Sequence, residues 1–294
     1  MGTGELAAFG TALCWTVTVM SFEAAGRKVG SVPVNFLRLL VGLTFLTLLS
    51  LFSRGRLLPL DAGGHAWLWL SISGIVGFVL GDLCLFRAFV TIGSRISMVI
   101  FTLVPPITAL TSWMVLGEIL SPRTWLGMAV TMAGISLVVL TKPRGEPMRL
   151  AHPIGGIILA LLGSAGQAVG LVLSKYGMGD MNAFSATQIR ILAAALTFLI
   201  VLPLIGFSGR VRAALSHGRA MAQLSLGAFF GPFLGVSLSL IAVHNVEAGV
   251  AATIMAMVPV FLIPPEIFIM GKSVRGLEIV GALVAVGGVA LVSL

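Results

Sequence analysis

The segment Gly117-Glu-Ile-Leu-Ser-Pro-Arg-Thr-Trp-Leu-Gly-Met-Ala-Val-Thr-Met-Ala-Gly134 occurs twice in this chain, since residues 271–288 repeat its pattern. The two copies align without gaps at an offset of 154 residues. Three glycines keep their places at this offset, so that Gly117, Gly127 and Gly134 match Gly271, Gly281 and Gly288. The segment therefore indicates an internal duplication.

The matches continue outward from this segment. At the offset of 154, three further residues find identical partners: Gly77, Gly81 and Pro105 match Gly231, Gly235 and Pro259. Nearer the N-terminus an offset of 152 pairs Arg38 with Arg190 and Trp15 with Gln167. Glycine accounts for only 36 of the 294 residues, so chance does not explain the run of matches. The chain consists of two copies of one unit.

The composition indicates that each unit lies in a lipid bilayer. Hydrophobic residues make up 58% of the chain and charged residues 10%, whereas a soluble domain carries about 25% charged residues. This excludes a cytosolic enzyme and a disordered chain. The net charge of +8 comes from lysines and arginines clustered between apolar runs, where cations lie beside lipid headgroups. We therefore expect no nucleic-acid partner.

The chain has ten apolar runs of the length that crosses a membrane as a helix. The predicted spans, numbered 1 to 10, are 4–23, 32–52, 66–87, 96–116, 123–141, 153–174, 184–206, 220–242, 248–270 and 276–294. The alternating pattern of a membrane barrel is absent from the sequence. We predict an all-α membrane protein.

A polar stretch at 142–152 divides the ten spans into five and five. The expected organisation is a first repeat at 1–141, a linker at 142–152 and a second repeat at 153–294. Because five is odd, the two copies enter the membrane from opposite sides, which makes the repeats inverted. Inverted repeats are typical of secondary transporters, whose substrate site lies between the halves near the bilayer midplane.

The Gly117 to Gly134 pattern and its copy resemble the end of the repeat in EamA-type transporters of the drug/metabolite transporter superfamily, and the resemblance covers nearly the whole chain. It implies a secondary transporter that exports small organic metabolites, such as amino acids or drugs, by alternating access, with the bacterial cytoplasmic (inner) membrane as its location. One departure is that the second copy carries Lys272 where the first has Glu118.

Other functions fit the sequence less well. A nucleotide-driven pump would need a Gly-x-x-x-x-Gly-Lys-Ser/Thr motif, which is absent. An intramembrane enzyme would need a nucleophile or metal set at membrane depth, and neither His-Glu-x-x-His nor Gly-x-Ser-x-Gly occurs. We expect no catalytic residues, cofactor or metal, while a channel or facilitator stays an alternative. The sequence does not fix the oligomeric state.

Polar residues deep within the spans are the candidate substrate-binding residues, because an ionisable group at a helix centre costs about 2.5–3.5 kcal/mol on insertion scales. The six candidates are Trp15, Arg38, Asp82, Gln167, Arg190 and Glu266. We predict a cavity bordered by spans 1, 3, 4, 6, 8 and 9. The two arginines have a second interpretation, in which each stabilises the fold by pairing with an acid or by capping a helix near the membrane interface.

Asp82 also has two interpretations. A buried carboxyl group can carry a proton, which would make protons the coupling ion of transport. Alternatively, Asp82 forms an ion pair with an arginine such as Arg38, and its removal would mainly destabilise the protein.

Prolines predict interruptions in both spans, at Pro105-Pro106 in span 4 and at Pro259 and Pro264-Pro265 in span 9. A bend that only shapes the packing is the alternative. Broken spans in corresponding positions of two repeats indicate a transport site.

The orientation in the membrane is predicted differently by two arguments. Loops that follow odd-numbered spans hold 12 lysines and arginines against 4 in the others, which places both termini outside. The resemblance to EamA-type transporters implies that both termini are cytoplasmic.

Overall fold

The computed structural model describes residues 2–141, 154–204, 206, 208–268 and 274–293, apart from the side chains of Val90, Ser94 and Arg95. Ten helices in this part of the chain are long and apolar enough to cross a membrane. Spans 1 to 10 comprise Thr3–Val29, Ser31–Arg54, Gly64–Phe89, Ile96–Leu116, Pro122–Thr141, Ile154–Met178, Ala183–Leu204, Gly218–Asn245, Ala248–Phe268 and Gly276–Ser293. The prediction of an all-α membrane protein with ten spans is confirmed, and the linker at 142–152 falls outside the described residues.

Several spans, among them spans 1, 2, 3 and 8, are longer than their apolar runs. The sequence predicts an end of span 1 at residue 23, but the helix continues to Val29, and an exposed ion pair of 2.6 Å between Glu23 and Arg27 lies in its last turns. A short helix that the sequence analysis missed, Ser208–Leu215, lies between spans 7 and 8. Its two arginines and few apolar side chains gave no signal of a span.

Spans 3 and 8 each contain one π-helical segment at the same place in the repeat. The segments are Ile75–Gly81 and Phe229–Gly235, and their bounds differ by the repeat offset of 154. Each continues into an α-helix, which begins at Asp82 in span 3 and at Val236 in span 8. A π-helical turn widens the helix locally and is frequent at functional sites.

Spans 4 and 9 are interrupted where the prolines predicted it. Span 4 comprises most of the helix Ser94–Phe101 and the whole of the helix Val104–Leu116. In span 9 the helix stops at Met255 and restarts at Val258. Each new helix carries proline at its second residue, a position where the missing proline N–H leaves no intrahelical bond unmade.

The glycines of the repeated segment hold the two halves together. Spans 5 and 10 pack so closely that a Cβ atom on Gly127 would lie 2.8 Å from the carbonyl oxygen of Gly288. A Cβ atom on Gly281, the counterpart of Gly127, would lie 2.8 Å from the carbonyl oxygen of Gly134. This exchange of partners is what a two-fold axis produces. The contacts run antiparallel, so the axis is perpendicular to the helices, and the repeats are inverted.

The other interfaces show the same exchange between halves. Span 6, from the second repeat, packs antiparallel along span 3, with Gly170 against Gly77 and Gly163 against Leu85. Span 1, from the first repeat, packs along span 8 in the same way. Small residues at these contacts let the backbones approach closely, as is usual between membrane helices.

The outward face of the bundle is apolar. Phe52, Met114 and Leu283 are among the many large hydrophobic side chains with more than half of their surface exposed. Such a surface would be unstable in water and fits a lipid environment. The chain is therefore an integral, multi-pass membrane protein, and its buried core lies at the contacts between the two halves.

Candidate functional site

A cavity of about 130 Å³ lies between the two halves. Its wall includes residues just before and after the interruptions in spans 4 and 9. The lining residues are Trp15, Phe78, Met98, Phe101, Thr102, Val104, Ile135, Gln167, Leu171, Arg190, Val236, Ser239, Ala252, Met255, Ala256, Val258 and Pro259. All six spans predicted to border the cavity contribute, and spans 5 and 7 add Ile135 and Arg190.

Trp15 and Gln167, which the repeat pairs with each other, are held in the cavity wall by equivalent glycines. A Cβ atom on Gly235 would lie 2.7 Å from the indole Nε1 of Trp15. On the other side of the two-fold axis, a Cβ atom on Gly81 would lie 3.3 Å from the amide Nε2 of Gln167. The wider helix turns of spans 3 and 8 therefore end on glycines that leave room for these two side chains.

Asp82 lies behind Gln167 in a polar network. The amide of Gln167 donates hydrogen bonds to Asp82 Oδ1 at 2.8 Å and to the Gly77 carbonyl at 3.0 Å. The other carboxylate oxygen of Asp82 forms an ion pair with the guanidinium of Arg38. Arg38 in turn donates from Nε to the side-chain oxygen of Asn35 at 2.8 Å. Of the two interpretations of Asp82, the structure contains the contact that the ion-pair interpretation requires.

Arg190 faces the cavity without an equivalent partner. It is the repeat counterpart of Arg38, and only 4% of its surface is exposed. Its Nε atom has no hydrogen-bond partner, and it forms no ion pair within the described part of the chain. The ring of Phe78 lies over its guanidinium, with the ring centre 4.7 Å from the guanidinium carbon.

The missing partner of Arg190 is explained by a difference between the repeats. At the offset of 154, the residue that corresponds to Asp82 is Val236. Val236 lines the same cavity as Arg190. The first repeat thus holds an arginine and its acid, and the second repeat keeps only the arginine.

Glu266 differs from the other candidates. It lies in the short helix Ile263–Phe268 at the end of span 9 and is half-buried. It is not among the residues that line the cavity. Its position after two prolines suggested a place beside the cavity, but span 9 contributes to the wall only as far as Pro259.

An ion pair joins the halves at one end of the bundle. Lys175 Nζ, at the end of span 6, lies 2.5 Å from Glu118 Oε1, after span 4. Glu118 also accepts a hydrogen bond of 2.8 Å from the backbone N–H of Ala248, and Lys175 donates one of 2.7 Å to the Val246 carbonyl. The cluster ties spans 4, 6, 8 and 9 together at the membrane face that carries both termini.

Sequence reasoning missed most of the apolar lining, since Met98, Phe101 and Met255 have no feature that separates them from lipid-facing residues. Val236 could have been found, because aligning the repeats places it opposite Asp82. Within the described ranges no three His, Cys, Asp or Glu side chains are grouped as a metal site would require.

Comparisons with known proteins agree with the architecture. The profile of the EamA-like transporter family matches residues 2–140 and 154–294, one match for each repeat. No curated protein matches the sequence. A solved structure described as "Crystal structure of protein" superposes with a TM-score of 0.78 at 17% sequence identity, over 99% of this chain and 95% of its own. At that identity the likeness concerns the fold alone.

Proposed function

Because the chain belongs to the EamA-like transporter family, within the drug/metabolite transporter superfamily, we propose that it is a secondary transporter that exports small organic metabolites, such as amino acids or drugs, by alternating access. The observation that carries the proposal is the cavity between two inverted halves, beside the interruptions of spans 4 and 9. Transporters with inverted repeats bind their substrates in such a place.

In this proposal the solute contacts Trp15, Gln167 and Arg190. The indole offers an apolar face, the amide offers hydrogen bonds and the guanidinium offers charge. Asp82 and Arg38 lie behind the cavity wall. Asp82 accepts a hydrogen bond from the amide of Gln167, and Arg38 forms an ion pair with Asp82, so together they hold this amide in place. Residues 1–141 and 153–294 would serve as the two moving units, joined by 142–152.

Alternating access requires the halves to rock about their thin glycine contacts. We infer that the Glu118 to Lys175 cluster keeps the terminus-bearing face closed, since it joins four spans there. Moving the halves apart at that face would break this ion pair and the hydrogen bond from Ala248 to Glu118, whereas the bond from Lys175 to Val246 lies within the second half. Such a motion resembles the rigid-body gating of one bundle against another in other inverted-repeat transporters.

Proton coupling is part of this proposal under one condition. A proton could bind Asp82 only if its contact with Arg38 opens, because the carboxylate oxygens now accept from Arg38 and Gln167. The proposed location is the bacterial cytoplasmic membrane, where a proton gradient is present to drive export.

Flux measurements in reconstituted vesicles test the proposal. Vesicles with and without the protein would be loaded with labelled amino acids and organic acids, and efflux followed with and without an imposed pH gradient. A carrier accelerates efflux when unlabelled solute is present on the opposite side, whereas a channel does not. Absence of any protein-dependent flux would contradict the proposal.

A further inference from the structure

We propose that the cavity binds organic anions in which one carboxylate is attached to an apolar body, and that Arg190 pairs with this carboxylate. The inference rests on the proposed function and names the substrate class of the same cavity. Its basis is the buried guanidinium of Arg190, which no acid within the described chain neutralises.

The first argument is the cost of burying an unpaired charge. An isolated arginine inside a membrane protein is expensive, and such residues mark substrate or ion pathways. In the first repeat this cost is offset by the ion pair between Arg38 and Asp82. In the second repeat Val236 stands where the acid would be. An external carboxylate that enters the cavity would supply the missing charge.

The second argument is the chemistry of the rest of the wall. No acidic residue lines the cavity among the residues that the structure describes. A cation or the ammonium group of a free amino acid would therefore lack a charged partner there, so among the proposed metabolites the inference favours acids without an ammonium group over amino acids. Arg190 supplies one positive charge, which suits a monoanion better than a phosphate monoester with two charges.

The third argument is the aromatic surface around Arg190. Phe78 lies over the guanidinium at 4.7 Å, but an aromatic ring replaces only part of the stabilisation that a carboxylate gives. The remaining wall offers Trp15 and Phe101 as apolar surface. An arylacetate or a medium-chain fatty acid combines the two features, since its carboxylate would face Arg190 while its body packs against the rings.

Equilibrium binding to the purified full-length protein in detergent tests the inference. Labelled phenylacetate and labelled octanoate serve as probes. Competition is measured with four compounds that keep the ring and change the charged group: phenylacetamide, phenethylamine, phenylalanine and phenyl phosphate. We expect phenylacetate or octanoate to bind, and unlabelled phenylacetate to compete at least tenfold better than the amide, the amine or the zwitterion.

Three variants assign the binding to Arg190. Arg190→Gln is expected to weaken phenylacetate binding at least tenfold, and Arg190→Lys to retain part of it. Val236→Asp is expected to abolish phenylacetate binding although Arg190 is still present, because the new carboxylate takes the place of the ligand. Val236→Asn is the uncharged control for this variant. Arg123→Gln, at the exposed start of span 5, is the control for loss of a cation. Size-exclusion profiles verify that each variant is folded.

The inference is overturned if neither probe binds the wild-type protein, if phenylacetamide or phenyl phosphate competes as well as phenylacetate, or if Arg190→Gln binds like Arg123→Gln. These outcomes are separate from failure of the proposed function. Flux of neutral or cationic solutes without anion binding would sustain the transporter and reject the anion site. Anion binding without any flux would sustain the site and reject the transporter.

Discussion

Gly134 and Gly281 meet backbone to backbone across the two halves, since a Cβ atom on Gly281 would lie 2.8 Å from the carbonyl oxygen of Gly134. The same contact recurs between Gly127 and Gly288, with the roles of the repeats exchanged. A substitution at any of these four glycines therefore presses one half of the transporter away from the other.

Gly281→Ala is expected to destabilise the protein. The added methyl group meets backbone atoms, which cannot move aside as a flexible side chain can, and overpacking of this kind costs about 1–3 kcal/mol. Thermal unfolding in detergent measures the effect, with Gly287→Ala as the matched control, because a Cβ atom on Gly287 meets nothing within 4 Å. Equal melting temperatures for the two variants would refute the close contact.

These glycines also explain how much of the fold the sequence predicts. Hydropathy alone locates ten spans, because lipid requires long apolar runs, and the glycine matches reveal the duplication. The π-helical segments beginning at Ile75 and Phe229 escape prediction, since a local change to i→i+5 bonding leaves no periodic signal over seven residues. The ends of spans also escape it, because polar side chains can extend a helix beyond its apolar run.

Asp82→Asn is expected to lower stability, because it leaves Arg38 without its counter-ion in a buried position. Removal of one partner of a buried pair costs about 3–5 kcal/mol, and the side chains of Asp82 and Arg38 are only 12% and 16% exposed. Chemical unfolding of the purified protein measures the loss.

Arg38→Gln added to Asp82→Asn separates the two interpretations of this acid. We expect the double variant to recover stability, since no unpaired charge is left. If Asp82→Asn is instead as stable as the wild type but loses pH-dependent flux, Asp82 acts as a proton carrier and the ion pair is secondary.

Glu118→Gln is expected to weaken closure of the terminus-bearing face. It removes the charge that pairs with Lys175 and weakens the acceptor for the Ala248 N–H. We predict a loss of about 1–2 kcal/mol in unfolding free energy, because the partly buried Lys175 loses its counter-ion.

Glu23→Gln is the matched control for Glu118→Gln. Glu23 corresponds to Lys175 in the other repeat, and it pairs with Arg27 on an exposed surface. Exposed pairs contribute about 0–1 kcal/mol, so stability is expected to be nearly unchanged. A larger loss for Glu23→Gln than for Glu118→Gln would contradict the assigned roles.

Gly235→Ala is expected to reduce both flux and stability, because the added methyl group would also lie 2.7 Å from the backbone carbonyl oxygen of Phe230. The methyl group would lie 2.7 Å from the indole of Trp15, and we expect it to push the indole into the cavity. Flux and melting temperature are compared with those of Gly10→Ala, where a Cβ atom would meet only Leu238, at 3.4 Å. Unchanged flux in Gly235→Ala would show that the position of Trp15 does not matter for transport.

The sequence predicts those residues of the candidate site whose side chains are polar or bulky within an apolar span. Trp15, Gln167 and Arg190 attract notice because polar or bulky groups are expensive in lipid, and each lines the cavity. Glu266 is also an ionisable residue within a span, but it does not line the cavity. The sequence does not reveal how far along a broken span the cavity wall extends. The pairing of Asp82 with Arg38 joins residues 44 positions apart, so the sequence offers it only as one of two interpretations of Asp82.

The central claim is that the two halves open the cavity to each membrane face in turn. Distances between spin labels test it without knowledge of the substrate. After replacement of Cys14 and Cys84, one pair of labels is placed at Ile119 and Asp180, on the terminus-bearing face. A second pair is placed at Lys28 and Arg275, on the opposite face. All four sites are exposed.

The account predicts a second population in which the Ile119 to Asp180 distance lengthens while the Lys28 to Arg275 distance shortens. Glu118→Gln is expected to increase this population, because it weakens the contact that holds the first face closed. One unchanging distance at each face in wild type and variant alike, or simultaneous lengthening at both faces as in a channel, would contradict alternating access.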